Sequence, residues 1–370
     1  MRLLICAGGT GGGVYPALAV VHALSAKNPA VEALWVGGEG GMEADLVTRA
    51  GVPFRSIPAA GLHGVGLRAL PRNLSQLARG TLASARILRD YRPDVLFFTG
   101  GYVAGPMALA ARTPRLNDRR NRILLYVPDI EPGLALKFLA YFADRIAVTT
   151  PESRKYFRKD VVVTGYPTRS DLQEWTRERA RAALGLSDTL PVLLVFGGSK
   201  GARSINQAVT SNLPSLLEKA QVLHLTGQLD WETVQDAAHT LDAAKKGRYH
   251  AFPYLHHEMG AALAAADLAV TRAGASTLGE LPLAGLPAVL VPYPYAWRYQ
   301  KVNADYLAER GAAVILPDEL LAEQLPAVIT DLLENPGKRR AMQQAIRTLA
   351  HPGAAGAIAD QIVALGGREP

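Results

Sequence analysis

The sequence predicts an α/β protein of two doubly wound halves, each a parallel sheet with helices on both faces. Three observations predict it. The apolar run Leu3-Leu4-Ile5-Cys6-Ala7 breaks into Gly8-Gly9-Thr10-Gly11-Gly12-Gly13 and then into an apolar-periodic stretch at 14–20, which reads as strand, glycine loop and helix start. The same device recurs at 193–196, followed by Gly197-Gly198-Ser199-Lys200-Gly201-Ala202. Around both loops, apolar strand-like runs alternate with helical patterns, as in a parallel sheet. Glycines let the backbone approach a ligand, and the unpaired N–H groups of a helix N-terminus attract an anion. Two such loops, almost half a chain apart, point to two nucleotide-type halves facing one cleft.

The elements follow in order. At 370 residues the chain has room for two domains with separate cores. Strands are expected at 2–7, 32–37, 94–98, 123–127 and 145–149, and 161–168 reads as a last strand running into a Pro-containing connector. A second series is expected at 192–196, 221–225, 249–252, 267–271, 287–291 and 313–316. The first domain is placed at 1–163 and the second at 164–352. The closing helical pattern, within 353–370, is a candidate to pack back on the first domain.

Composition narrows the function. Hydrophobic residues are 49% and charged residues 20% of the chain, a globular balance. No apolar run approaches the roughly 18 to 20 residues that cross a bilayer. The N-terminal apolar segment ends in glycine, unlike a signal peptide, so the cytoplasm is the expected compartment. Cys6, the single cysteine, excludes an internal disulfide and a multi-cysteine metal site, and is expected in the first strand as a small hydrophobe. The net charge of +7 suggests an anionic partner. With no aromatic-interleaved basic run and no RNA-binding or zinc-finger signature, it is assigned to phosphates or lipid rather than nucleic acid. Lys200 follows Ser199 in the wrong order for a phosphate-loop NTPase. The first loop lacks dinucleotide glycine spacing, and Glu39 lies too far beyond it.

Six motifs then appear in order: Gly8 to Gly12; Met42-Glu43-Ala44-Asp45-Leu46-Val47; Gly100-Gly101-Tyr102-Val103-Ala104-Gly105-Pro106; Gly197 to Arg203; Arg272-Ala273-Gly274-Ala275-Ser276-Thr277-Leu278-Gly279-Glu280; and Gln300-Lys301-Val302-Asn303-Ala304. Along nearly its whole length the chain resembles the MurG family. These are transferases that move N-acetylglucosamine from UDP-N-acetylglucosamine onto an undecaprenyl-pyrophosphoryl-muramyl-pentapeptide lipid in peptidoglycan synthesis. The resemblance implies two Rossmann-like domains of the GT-B type facing a cleft, and inverting, metal-independent chemistry with no cofactor. It implies a peripheral enzyme on the cytoplasmic face of the cell membrane, with the lipid acceptor on the N-terminal half and UDP-sugar on the other.

The segment 272–280 follows an apolar strand and opens a helix with small residues, where a diphosphate would meet backbone donors and the positive helix end. The resemblance puts Glu280 on the ribose hydroxyls, Ser199 on the phosphates and Gln300 on the donor sugar. It puts Arg169 at a donor contact and the Leu255 backbone on uracil, with Ala275, Ser276, Thr277, Leu278 and Gly279 completing the donor site. Thr10, Gly11 and Gly12 belong to the acceptor half. Gly100-Gly101-Tyr102 reads either as a backbone nest for the acceptor pyrophosphate or as a tight turn needing positive φ.

The chain departs from the family at the base. An inverting transfer needs a group to take the proton from the attacking hydroxyl. Gly13 stands where relatives carry His, and Tyr126-Val127-Pro128-Asp129 aligns with His-Glu-Gln-Asn. Asp129 and Glu131 are the nearby carboxylates, with Asp129 favoured; either also reads as a loop or cap residue. His63 reads as an acceptor contact or a solvated loop residue. No His spacing predicts a metal. Arg68, Arg72, Arg79, Arg86, Arg89 and Arg92 interleave with leucines 67, 70, 74, 77, 82 and 88. This basic amphipathic stretch suits an anionic leaflet, or an ordinary helix with one core face. The segment 134–142 offers apolar anchors. Arg112, Arg115, Arg119, Arg120 and Arg122 are expected in a solvated loop. Two alternatives stay open: transfer to another lipid such as diacylglycerol, and a catalytically silent protein that binds UDP-sugar or lipid.

Overall fold

The computed structural model describes residues 1–8, 11–41, 43–60, 70–117, 120–198, 200–295 and 299–367. It divides into two units, Met1–Arg169 with Pro352–Pro370, and Ser170–His351.

The first unit is built on seven parallel strands: β1 (Arg2–Cys6), β2 (Glu32–Gly38), β3 (Phe54–Ile57), β4 (Val95–Phe98), β5 (Arg122–Val127), β6 (Arg145–Val148) and β7 (Val161–Val163), in the spatial order β3-β2-β1-β4-β5-β6-β7. Side chains alternate across a strand, and here both faces are buried, so the strands read as continuous apolar runs. Leu3 and Ile5 point to one face with Phe97 and Leu124, against helix Gly11–Lys27 and Ile358, Ala359 and Ile362 of the closing helix Ala354–Gly366. Leu4 and Cys6 point to the other with Phe98 and Leu125, against Leu88, Met107, Leu136 and Leu139. Cys6 is fully buried, which pushes its thiol pKa up. The closing helix is tied down by Lys27 donating to Asp360 at 2.6 Å and Arg145 donating to Gln361 at 2.7 Å.

The second unit holds six parallel strands: β8 (Val192–Phe196), β9 (Gln221–Leu225), β10 (Tyr249–Phe252), β11 (Leu268–Thr271), β12 (Ala288–Leu290) and β13 (Ala313–Ile315), in the order β10-β9-β8-β11-β12-β13. Leu193, Val195, Leu268 and Val270 meet Ile205 and Val209 of helix Arg203–Ser211 and Ile329 and Leu332 of helix Leu321–Glu334.

Two expectations are corrected and one is sharpened. The edge strand β3 was not anticipated: its sequence, Phe-Arg-Ser-Ile, carries exposed Arg55 and Ser56 and no apolar run. The segment 161–168 is a strand running into a connector, and the strand ends at Val163, because Gly165 turns at φ 84° and Pro167 has no N–H to donate. The arginine stretch is not simply a solvated loop. Arg112 ends helix Ala104–Arg112, donating to the Phe142 carbonyl and, at 2.6 Å, to Asp144, whose carboxylate also caps the Ile123 N–H. Arg119 lies outside the described residues.

Candidate functional site

In a doubly wound sheet the ligand site lies at the carboxyl ends of the strands, where the strand order reverses. In the second unit that point is between β8 and β11. The loop leaving β8 is the Gly197–Gly201 run, and the loop leaving β11 is Arg272 to Ser276. Gly198 and Gly201 have φ of 83° and 79°, values an L side chain resists. A Cβ on Gly201 would collide with the Thr226 carbonyl, so close approach to the neighbouring turn also requires glycine there.

The helix Thr277–Ala284 follows the β11 loop. The N–H groups of Thr277, Leu278, Gly279 and Glu280 are already engaged with the carbonyls of Gly274, Ala275 and Ser276 at 2.8 to 3.1 Å. The anion-attracting end therefore lies at Gly274–Ser276, within the expected segment 272–280 and one turn ahead of Glu280. Glu280 is half-buried one turn into the helix. Gln300 opens helix Tyr299–Glu309, and its Oε1 accepts the Tyr293 backbone N–H at 2.9 Å. Leu255 lies half-buried in the loop after β10, beside Tyr254, whose ring meets that of His256 edge-on. Ser199 lies outside the described residues.

A group the sequence reading missed holds these loops together. The Arg272 guanidinium donates to the Asp318 carboxylate and, at 2.8 Å, to the Ser204 hydroxyl, which itself donates to Asp318 at 2.7 Å. Arg272 also stacks over the Tyr293 ring at 5.2 Å. Arg272 stood inside a quoted motif, but Asp318 follows β13 in an unremarkable turn, and no local signal ties the two together.

In the first unit the order reverses between β1 and β4. The Thr99 hydroxyl, just after β4, donates to the Gly13 carbonyl at 2.9 Å, so the two switch-point loops touch. Gly100 and Gly101 turn at φ of 110° and 85°, and a Cβ on Gly101 would stand 2.7 Å from the Gly8 carbonyl oxygen. The positive-φ turn is real, and it leaves Tyr102 exposed. Gly11, Gly12 and Gly13 form the first turn of helix Gly11–Lys27, while Thr10 lies outside the described residues. At Gly13 a Cβ would meet Thr99 Oγ1 at 3.4 Å and the Gly8 carbonyl at 3.7 Å, contacts a side chain tolerates. Arg169 belongs to this unit and stacks over Tyr15 of the same helix at 5.4 Å.

Of the residues after β5, Tyr126 is fully buried and bonded, its hydroxyl 2.8 Å from that of Thr149. Burial pushes its pKa well above the ordinary value, and the charge of Asp129 adds to the rise. Glu131 is buried, accepting from the Tyr156 hydroxyl at 3.4 Å and lying 3.7 Å from the Lys137 ammonium. Asp129 is half-buried in the loop between them. His63 lies outside the described residues.

Two helices packed on the same face of the first sheet expose basic and apolar side chains. Helix Leu70–Tyr91 exposes Arg72, Arg79, Arg86 and Arg89 beside Leu74 and Leu82. Helix Leu134–Phe142 exposes Leu134, Phe138 and Tyr141, a single stripe at helical spacing. Arg68 and Leu67 lie outside the described residues. Among the described residues no helix is long and apolar enough to cross a membrane.

Comparison with known proteins decides the family. The glycosyltransferase family 28 N-terminal domain matches residues 3–148, and the glycosyltransferase family 28 C-terminal domain matches residues 192–357. The chain belongs to glycosyltransferase family 28, and within it to the MurG group. A relative from Roseiflexus sp. (strain RS-1) is 43% identical over 96% of this chain and 93% of its own length. One from Desulforudis audaxviator (strain MP104C) is 41% identical over 100% and 99%. Both are named UDP-N-acetylglucosamine--N-acetylmuramyl-(pentapeptide) pyrophosphoryl-undecaprenol N-acetylglucosamine transferase. The crystal structure of Acinetobacter baumannii MurG superposes with a TM-score of 0.74 at 28% identity, covering 98% of this chain and 99% of that one. The glycine loops at the switch points of this family 28 chain are thus those of a GT-B glycosyltransferase.

Proposed function

We propose that this chain transfers N-acetylglucosamine from UDP-N-acetylglucosamine to undecaprenyl-pyrophosphoryl-N-acetylmuramyl-pentapeptide, with inversion at the anomeric carbon. The observation that carries this reading is the match of relatives bearing that activity in their names to essentially the whole chain, both halves included. The donor sits at the β8–β11 switch point of the second unit. Backbone N–H groups at Gly274–Ser276 and the Ser199 hydroxyl hold the diphosphate; Glu280 accepts from the ribose hydroxyls and Gln300 donates to the sugar. The Leu255 backbone meets uracil, and Arg169 reaches the donor. Thr10, Gly11 and Gly12 serve the acceptor.

In the transfer, the acceptor hydroxyl forms a bond to the anomeric carbon as the bond from that carbon to the UDP oxygen breaks. The electron pair leaves with UDP, whose growing charge is stabilised by the helix end at Gly274–Ser276. The hydroxyl proton passes to Asp129. Glu131, buried against Tyr156 and Lys137, serves the structure instead. The exposed arginines and apolar stripe of the first unit rest on an anionic leaflet, each basic residue adding about 1 kcal/mol near the surface. On this reading the protein works peripherally, on the cytoplasmic face of the membrane.

The test is a transfer assay with UDP-N-acetylglucosamine and the muramyl-pentapeptide lipid, comparing wild type with Asp129→Ala. A general base contributes about 100-fold to 10,000-fold, so the variant should lose at least 100-fold in kcat with KM little changed. Full activity in the variant removes Asp129 as the base. No transfer by wild type removes the main reading: transfer to diacylglycerol instead names another acceptor, and donor binding without UDP release on any lipid names a silent protein. Gly13 and the bonded Tyr126 are the observations that keep this last outcome in the test.

A further inference from the structure

We propose that His224 is a positioning residue for nucleotide-sugar binding, acting through Asn206 and Asp230 on the glycine loop after β8; the inference rests on the donor reading above. His224 lies near the carboxyl end of β9, fully buried, with no route to a ligand of its own. Its Nε2 is 3.0 Å from Asn206 Oδ1 and its Nδ1 2.8 Å from the Tyr249 hydroxyl. Asn206 Nδ2 donates to the Thr226 carbonyl and to Asp230 Oδ2, both at 2.8 Å. Flipping that amide would face its oxygen toward two acceptors, so the orientation is set by chemistry. Asn206 Oδ1 then needs a donor, which makes His224 the Nε2–H tautomer, and Nδ1 in turn accepts from Tyr249.

The result is a one-way chain of hydrogen bonds: Tyr249 to His224, His224 to Asn206, and Asn206 to the Thr226–Asp230 turn. Asp230 Oδ1 closes it by accepting Arg203 Nε at 3.1 Å, at the start of the helix that the glycine loop opens. The turn and the loop touch where Gly201 faces the Thr226 carbonyl. A shift of Asn206 therefore moves both walls of the loop that carries Ser199. Burial pushes the His224 pKa down to about 3, so the ring stays neutral and the tautomer persists. Protonation would put a second N–H against the Tyr249 hydroxyl and reverse that bond.

The experiment titrates UDP calorimetrically into wild type, His224→Leu, His224→Gln and Asp230→Ala, and measures the KM for UDP-N-acetylglucosamine and for the lipid acceptor in each. His224→Leu and Asp230→Ala should weaken UDP binding and raise the donor KM about tenfold, the cost of misplacing one or two polar contacts, with the acceptor KM unchanged. His224→Gln places an amide N–H where the ring Nε2–H was and should restore the donor KM to within about threefold. Asp230→Ala lies at the turn and keeps the test alive if His224→Leu does not fold. Variants that unfold more easily yet bind UDP as wild type does would overturn the positioning role. Wild type that binds no UDP would remove the donor reading, and this role with it.

Discussion

Gln300 accepts the backbone N–H of Tyr293 through its side-chain oxygen at 2.9 Å, which leaves the NH2 end of the amide as the part that can donate to a sugar hydroxyl. Gln300→Glu keeps the acceptor for Tyr293 but removes the donors. A lost hydrogen bond costs about 1 to 3 kcal/mol when its partner goes unsatisfied. Steady-state kinetics of this variant should show a donor KM at least fivefold higher with the acceptor KM unchanged. An unaltered donor KM would separate Gln300 from the sugar.

Tyr126 stands where the family motif begins, yet its hydroxyl is spent on Thr149 and the Gly165 carbonyl. Tyr126→Phe should cost about 1 to 2 kcal/mol in urea unfolding and leave kcat within about threefold of wild type. A hundredfold loss of kcat at unchanged stability would instead make Tyr126 part of the chemistry.

The Arg112–Asp144 pair is a clamp at the base of the first unit, with both side chains largely out of solvent. Removing one partner of such a pair leaves a poorly solvated charge and unpaired donors. Asp144→Ala should lower unfolding stability by about 2 to 4 kcal/mol, since the Ile123 N–H loses its side-chain acceptor and Arg112 its paired carboxylate. Activity per folded molecule should hold, because the pair lies at the opposite end of the sheet from the glycine loops. Equal stability of wild type and variant in denaturant titration would contradict the clamp.

The buried His224 also sets a pH response. Its folded pKa, about 3, lies below the ordinary 6.5 because of burial. Above pH 6.5 the ring is neutral folded and unfolded, and contributes no slope. Below that the unfolded chain takes up a proton that the folded chain refuses, so stability falls as pH drops from about 6.5 toward 3, by at most about 1.4 kcal/mol per unit. Burial lowers the His250 pKa as well, so it adds in the same direction. Denaturant midpoints at pH 7 and pH 5 should differ less in His224→Gln than in wild type; an identical difference would show that other groups carry the slope.

How much of this was legible in the chain depends on how local each signal is. β8 lies where its apolar run predicts because a strand buried on both faces reads as a continuous apolar run. β3 escaped notice because an edge strand with exposed Arg55 and Ser56 carries no such run. The glycine loops were readable because positive φ at Gly198 and Gly201 leaves few residue choices.

By itself, then, the sequence determined the two sheets, the loops at their switch points and the family, since each is written in residues adjacent along the chain. Only the tertiary structure decided which distant side chains hold the elements in place. Arg272 finds Asp318 and Ser204 across 46 and 68 residues of chain, His224 reaches Asn206 and Tyr249 from neighbouring elements, and Arg112 finds Asp144 where the sequence suggested open solvent. Buried polar groups must be paired. The partner is chosen by which elements the packed sheets bring together, and no local pattern records that choice.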